Sequence, residues 1–283
     1  MRIDYFQNYL LLMIRIKKIN DHAVKPIAVP IVEPDKIKGY DLIPKLYCAI
    51  FVCAKKESGK TNTIFKILKE CTGKKTHLII VSSTVFNDHN WIEIVKHFEK
   101  KKIKVTVNTS LEDANVPSIV TELEENARKE IEEAKNAEKK VEAPPKIKLF
   151  HDDDEKPKER KEKKIAPEYI FVFDDMSTEL RNKSIAALIK KHRHFKTKVI
   201  CSSQYVNDLA KDARKNIDIF LLFGGHSVDK LQEIYDNCDL QIPFELFLSL
   251  YANATKDKYS FLYVDRNCGV FRKNFNTEYF IES

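Results

Sequence analysis

A chain of 283 residues, 43% of them hydrophobic, is long enough to bury a sizeable core, which excludes a collagen, a coiled coil and a wholly disordered polymer. Only 6 Gly and 10 Pro argue against a barrel or sandwich of many tight turns. The 49 Lys+Arg exceed the 42 Asp+Glu by a net +7, compatible with a polyanionic partner without demanding one, and with 40 Lys to 9 Arg an arginine is the more informative residue.

In chain order, residues 5–16 (YFQNYLLLMIRI) are apolar but interrupted by Arg15 and too short to span a bilayer, so they read as an amphipathic first element. Met13 offers an alternative start that would make the first twelve residues dispensable. Prolines at 26, 30, 34 and 44 make the lead-in irregular, and residues 1–45 read as an N-terminal strap. From Leu46 apolar runs alternate with helical patterns: a strand at 46–54, a helix at about 60–70 stopped by Gly73, strands at 77–83 and 104–108 around a helix at 91–101. Strands at 169–173, 198–203 and 217–223 follow, with a helix at 183–192. Continuous apolar strands separated by helices predict an α/β fold with a mainly parallel sheet, buried on both faces and flanked by helices.

Residues 122–164 break the pattern, with 13 Lys+Arg and 14 Asp+Glu, a Pro-Pro pair and a DDDE run. This is a charged insertion, near neutral overall, so the basic excess lies in the rest of the chain. Its first half reads as a solvated helix and its second half as a loop. Beyond Phe223, helices at about 227–238 and 243–254 lead to a hairpin of 259–264 and 269–275, which reads as an appendage to the same sheet within one domain, 46–283. The six cysteines form no C-x-x-C pair and mostly sit in apolar runs, as reduced thiols of an intracellular protein do.

The segment Ala54-Lys55-Lys56-Glu57-Ser58-Gly59-Lys60-Thr61 follows a buried strand and precedes a helix. It matches a phosphate-binding P-loop except that Ala54 replaces the first glycine. Residues Ala54 to Asn62 would cradle phosphates with backbone N–H groups at a helix N-terminus. Gly59 allows close approach, Lys60 neutralises the β- and γ-phosphates of ATP, and Thr61 ligates Mg²⁺. The competing reading, chance in a lysine-rich chain, leaves the strand–loop–helix context unexplained. YIFVFDD supplies the acidic partner expected at the end of another strand: Asp174 for the metal and Asp175 as general base. A helix N-cap alone would need only one acid. KVICSSQ ends in Gln204, whose carboxamide suits the γ-phosphate and the attacking water.

The ordered set AKKESGKT, IFVFDDMS, the RHF segment at 193–195 and VICSSQ resembles the FtsK/HerA superfamily of P-loop ATPases, within it the genome-packaging ATPases of poxviruses, other nucleocytoplasmic large DNA viruses and virophages. The resemblance covers roughly residues 46–223. It departs at Ala54, at Asp175 where many relatives have Glu, and in the long insertion. It implies a RecA-like core and an ATP-driven double-stranded DNA translocase that packages a viral genome into a preformed capsid. Implied partners are sequence-nonspecific DNA, a homo-oligomeric ring of five or six copies, and a capsid or portal-vertex protein. The implied location is the host cytoplasm at the virus factory, or the virion. A ring would take an arginine across its seam, for which Arg193 and Arg214 are the candidates and Arg181 reads as a surface helix residue; simple carboxylate pairing is the alternative for each. The rival functions are a P-loop nucleoside or nucleotide kinase and a nucleotide-binding scaffold without turnover. His192 and His194 read as solvated, and Trp91 as core rather than an adenine stack.

Overall fold

Strands β1 (Cys48–Cys53), β2 (His77–Ser82), β3 (Lys104–Asn108), β4 (Tyr169–Asp174), β5 (Thr197–Ser203) and β6 (Ile219–Phe223) run parallel in the computed structural model, which describes residues 32–138 and 164–281. The amphipathic first element, most of the strap and the second half of the insertion lie outside the described residues. Strands β7 (Phe261–Asp265), β8 (Val270–Lys273) and β9 (Thr277–Tyr279) extend the same sheet antiparallel from β6. The order is β3-β2-β4-β5-β1-β6-β7-β8-β9. The expected hairpin is therefore a three-stranded meander; β9 is short and polar (TEY) and carries no apolar alternation to announce it.

Each central strand is buried along its length because helices cover both faces. On one face Ile50, Val52, Ile80 and Val172 pack against helix α1 (Lys60–Cys71) and helix α2 (His89–Lys100). On the other, Phe51, Phe171, Phe173 and Phe220 pack with residues of α3 (Val116–Glu138), α4 (Lys183–Lys191), α6 (Val228–Cys238) and α7 (Phe244–Ala254); the single turn α5 (Lys211–Arg214) joins β5 to β6. Alternate residues of one strand thus serve two cores, which is why the sequence shows unbroken apolar runs. Each such side chain contributes roughly 1.5–3 kcal/mol by burial.

Helix α3 runs through the start of the charged stretch. Val116, Val120 and Leu123 are buried on the sheet side, and Glu124 and Glu130 pair with Lys191 (2.7 Å) and Lys196 (2.6 Å). Its first turns therefore belong to the core, and the solvated character begins only after Leu123. The compact unit containing the sheet starts at Glu33: Ile37 bridges to Ile165, and Ile43 is buried beside β1.

Candidate functional site

β1 ends at Cys53, and the chain turns over its carboxyl end into a loop that closes at the first turn of α1. Glu57 (φ 61°) and Gly59 (φ 90°) both take left-handed backbone, the latter as N-cap of α1. Glycine enters that region at little cost, and curling the loop there turns successive N–H groups inward. Among the described residues, no hydrogen bond occupies the N–H groups from Lys56 to Thr61. The Ser58 hydroxyl is likewise buried without a hydrogen-bond partner. Unpaired donors at a helix N-terminus make a site for an anion. Ala54, the departure from the loop pattern, has no left-handed backbone; it is buried and its N–H donates to Ser203 O (3.1 Å). A methyl group is accommodated there.

Lys60 is buried and points toward the ends of β4 and β5. Its Nζ lies 3.2 Å from Asp174 Oδ1 and pairs also with Asp175. The two carboxylates differ sharply: the Asp174 side chain is 4% exposed and that of Asp175 39%. Asp174 is held by three contacts: Lys60 Nζ, Trp91 Nε1, which donates to its Oδ2 (2.9 Å), and Ser202 Oγ, which donates to its Oδ1. Asp175 takes left-handed backbone (φ 53°), with its N–H on Ser202 O (3.3 Å), and this turn swings its carboxylate out beside Lys60. One acid is thus buried and fixed; the other faces the cleft.

The strand order accounts for the third element. Because β5 lies between β1 and β4, its carboxyl end emerges between the loop and the acidic pair. Gln204 stands there, its carbonyl accepting from Cys53 Sγ (3.3 Å). Thr61 and Asn62 occupy the first turn of α1 beside the loop. Lys55 and Lys56 are exposed on its rim.

Of the three arginines, Arg193 lies away from this edge, whereas Arg181 and Arg214 contact the loop that follows Gln204. Arg193 pairs with Asp218 (3.2 Å) among residues that open β1 and β6, at the opposite end of the parallel strands, while its side chain stays 66% exposed. Buried Asp218 also accepts from Ala49 N (2.9 Å) and Asn267 Nδ2 (2.7 Å). Burial alone would raise its carboxyl, but the hydrogen bonds from His192 and Ala49 and the charges of His192 and Lys45 win and hold it at about 2. His192, expected in solvent, is buried here, Nε2 3.1 Å from Asp218 and Nδ1 2.7 Å from Ile189 O. Arg214 Nε donates to Leu209 O (3.0 Å) and its Nη1 to Asn207 Oδ1. Arg181, on the turn after the acidic pair, donates to Asn207 O (3.0 Å). Both therefore brace the loop that follows Gln204.

Sequence reasoning missed three residues at this edge. Trp91 and Asp174 are 83 residues apart, and an indole on an apolar period gives no hint of a polar partner. Ser202 stood inside CSSQ but without a role. His226, after β6, faces Cys53 O through Nε2 (3.3 Å), while its Nδ1 is buried with no hydrogen-bond partner. Burial first, then the Lys230 charge, push its imidazole down to about 4, leaving it neutral near pH 7. Among the described residues no group of three or more His, Cys, Asp and Glu side chains is placed to hold a metal ion.

No family model matches the chain. Among curated proteins, the uncharacterized protein 015R of Frog virus 3 (isolate Goorha) is 27% identical over 99 residues, 34% of this chain. That match spans 30% of the Frog virus protein's own length. Among solved structures, the genome packaging NTPase B204 from Sulfolobus turreted icosahedral virus 2 in complex with ATP-gammaS is 17% identical, covering 80% of this chain and 95% of that one, with a TM-score of 0.47. The same protein with sulfate gives 16%, 85%, 96% and 0.48. Thermomonospora curvata EccC (ATPases 2 and 3), in complex with a signal sequence peptide, is 12% identical, covering 84% of this chain and 37% of that one, with a TM-score of 0.40.

Proposed function

We propose that this chain is an ATP-hydrolysing motor that moves double-stranded DNA during packaging of a viral genome into a preformed capsid. The observation that carries the hydrolytic part is the convergence of three separate strand ends, β1 with its loop, β4 with Asp174 and Asp175, and β5 with Gln204, on one carboxyl edge. The DNA part rests on the ordered resemblance of those segments to the FtsK/HerA packaging ATPases and on the basic excess of the chain.

In this reading the N–H groups of the loop hold the β-phosphate and Lys60 the β- and γ-phosphates. Thr61 and Asp174 would hold Mg²⁺, which when bound would supply positive charge to offset that of the phosphates. The fit is favoured by the unpaired N–H groups, by the orphaned Ser58 hydroxyl and by a carboxylate already oriented by Trp91 and Ser202. Lys60 pairs with Asp175. A phosphate drawing the ammonium toward itself would free Asp175 to accept a proton from water. Gln204 orients that water, and an arginine of a neighbouring copy, Arg193 or Arg214, completes the site in a ring of five or six.

The test is phosphate release by the full chain with Mg·ATP, with and without double-stranded DNA of unrelated sequences, alongside assays for phosphorylation of deoxynucleoside monophosphates. Release stimulated alike by any duplex supports the motor. Phosphorylated monophosphate with no response to duplex would replace it with a kinase.

Trp91 acts on the reaction through Asp174 and is a positioning residue. Trp91→Phe keeps most of the packing but removes the indole donor, and a hydrogen bond to a charged group is worth about 1.5–3 kcal/mol. The Mg²⁺ concentration for half-maximal hydrolysis should rise about tenfold. Ile94→Val, a core change in the same helix, should leave it unmoved. Equal shifts in the two variants would reduce Trp91 to packing.

A further inference from the structure

A cleft of about 430 Å³ opens on the side of the loop away from the acidic pair, between the first turn of α1 and the start of β7. Its walls include Gly59, Asn62, Lys66, Tyr259, Asn274 and Phe275, and none of the described residues lining it is a carboxylate. We propose that this cleft takes the purine base of the nucleotide, gripping its aromatic face rather than reading its edge, so that ATP and GTP are bound alike. The inference rests on the reading of residues 54–62 as a nucleotide loop.

Sheet order sets the direction of the bound molecule. β5 and β4 lie on one side of β1; β6 and β7 lie on the other. Lys60 leans toward Asp174 and Asp175, so the terminal phosphate belongs over β5 and β4. The remainder of a nucleotide threaded through the loop must leave over β6 and β7, where the cleft begins. From β4 to β7 is four inter-strand steps, about 19 Å, a span suited to an extended nucleoside triphosphate.

Gly59 is the wall shared by loop and cleft: a Cβ built there would meet Tyr259 Cδ1 at 3.1 Å. Tyr259 is held over it by left-handed backbone (φ 67°) and is 57% exposed, an aromatic face presented at the mouth of the phosphate site. Lys258 Nζ sits 4.7 Å from the ring centroid, a cation–π contact that an exposed side chain can exchange for a stacked base. Phe275 closes the other end, edge-on to Phe261 at 5.0 Å.

The polar groups of the cleft do not select a base edge. Asn274 is committed to its own turn, accepting from Phe261 N (3.1 Å) and donating to Ser260 Oγ (3.4 Å). Asn62 is exposed, and its amide offers a donor and an acceptor equally. Guanine's ring N–H and amino group would call for a carboxylate acceptor, which the lining lacks. Affinity from stacking with little edge readout means tolerance between purines.

Binding of Mg·ATP, Mg·GTP and inorganic tripolyphosphate to the full chain, each titrated against wild type, Tyr259→Ala and Tyr259→Phe, tests this. Wild type should bind ATP and GTP within about tenfold of each other. Tyr259→Ala should weaken both by about ten- to a hundredfold and leave tripolyphosphate unchanged, and Tyr259→Phe should restore them. Equal weakening of tripolyphosphate and ATP would make Tyr259 a prop for the loop and overturn the base site, as would no weakening of either. ATP preferred over GTP by more than about a hundredfold would overturn purine tolerance. Wild type that binds tripolyphosphate as tightly as ATP removes the base site but keeps the phosphate loop. Wild type that binds none of the three ends the nucleotide reading itself.

Discussion

Lys60→Ala should abolish hydrolysis, lowering turnover by about a thousandfold, while Lys55→Ala and Lys56→Ala stay within a few-fold of wild type. The contrast follows from burial, because Lys60 is inside the loop and the other two lie on its exposed rim. The substitution also strands Asp174. With its cation gone, a nearly buried carboxylate is left beside a second one, and an uncompensated buried charge costs about 3–5 kcal/mol. Lys60→Ala should therefore melt several degrees lower than wild type without nucleotide and recover part of that loss in Mg²⁺. Calorimetry beside the phosphate-release assay separates the two effects. Equal loss of activity at all three lysines would show that the phosphates lie elsewhere.

Asp175→Asn should leave binding of Mg·ATP close to wild type and cut turnover by about 10²- to 10⁴-fold, because the amide keeps shape and hydrogen bonding but cannot take a proton. Asp174→Asn should instead raise the Mg²⁺ requirement, since that side chain is buried and already committed to Trp91 and Ser202. Retained activity in Asp174→Asn at low Mg²⁺ would reverse the two roles. Asp175→Asn also reports on the ring. Mixed with Arg214→Ala or Arg193→Ala protein, it should regain a part of wild-type turnover that follows the fraction of interfaces pairing an intact base with an intact arginine. Recovery with neither arginine variant, in a protein that runs as a monomer with ATP and DNA present, would return the reading to a kinase. Arg193→Ala carries an added structural cost, because it takes a partner from buried Asp218. Arg214→Ala is the cleaner partner in the mixture if Asn207 and Leu209 keep their places.

The strands were legible to within a residue or two because a parallel sheet covered on both faces leaves unbroken apolar runs, and SGKT, DD and SSQ each stand where such a run ends. Their meeting at one edge was legible only as far as parallel strands imply it. Where sequence failed, the missing information was pairing across distance. His192 is buried because Asp218, 26 residues on, needs donors, and Asp218 is buried because it also accepts from Ala49, 169 residues back. Leu123 looked solvated because charged residues surround it, yet one helical face was enough to seat it on the sheet. Tyr259 was read as the start of a strand that begins two residues later, so its turn over Gly59 had no signal in the alternation of YSFLYV.

The chain contains 1 Trp in 283 residues, fully buried, with its indole N–H on the carboxylate of Asp174. Its emission is a built-in optical probe. In the dry core it is blue and on unfolding it turns red, so every denaturation curve can be followed without a label. A cation screening Asp174, or a shift of Lys60 away from it, would change the electric field at the same indole, so filling of the proposed nucleotide site should be visible in the same spectrum. Stopped-flow fluorescence on unlabelled protein would then time arrival of nucleotide at the proposed site, and in a ring of identical copies the summed emission would report the mean occupancy of the subunits.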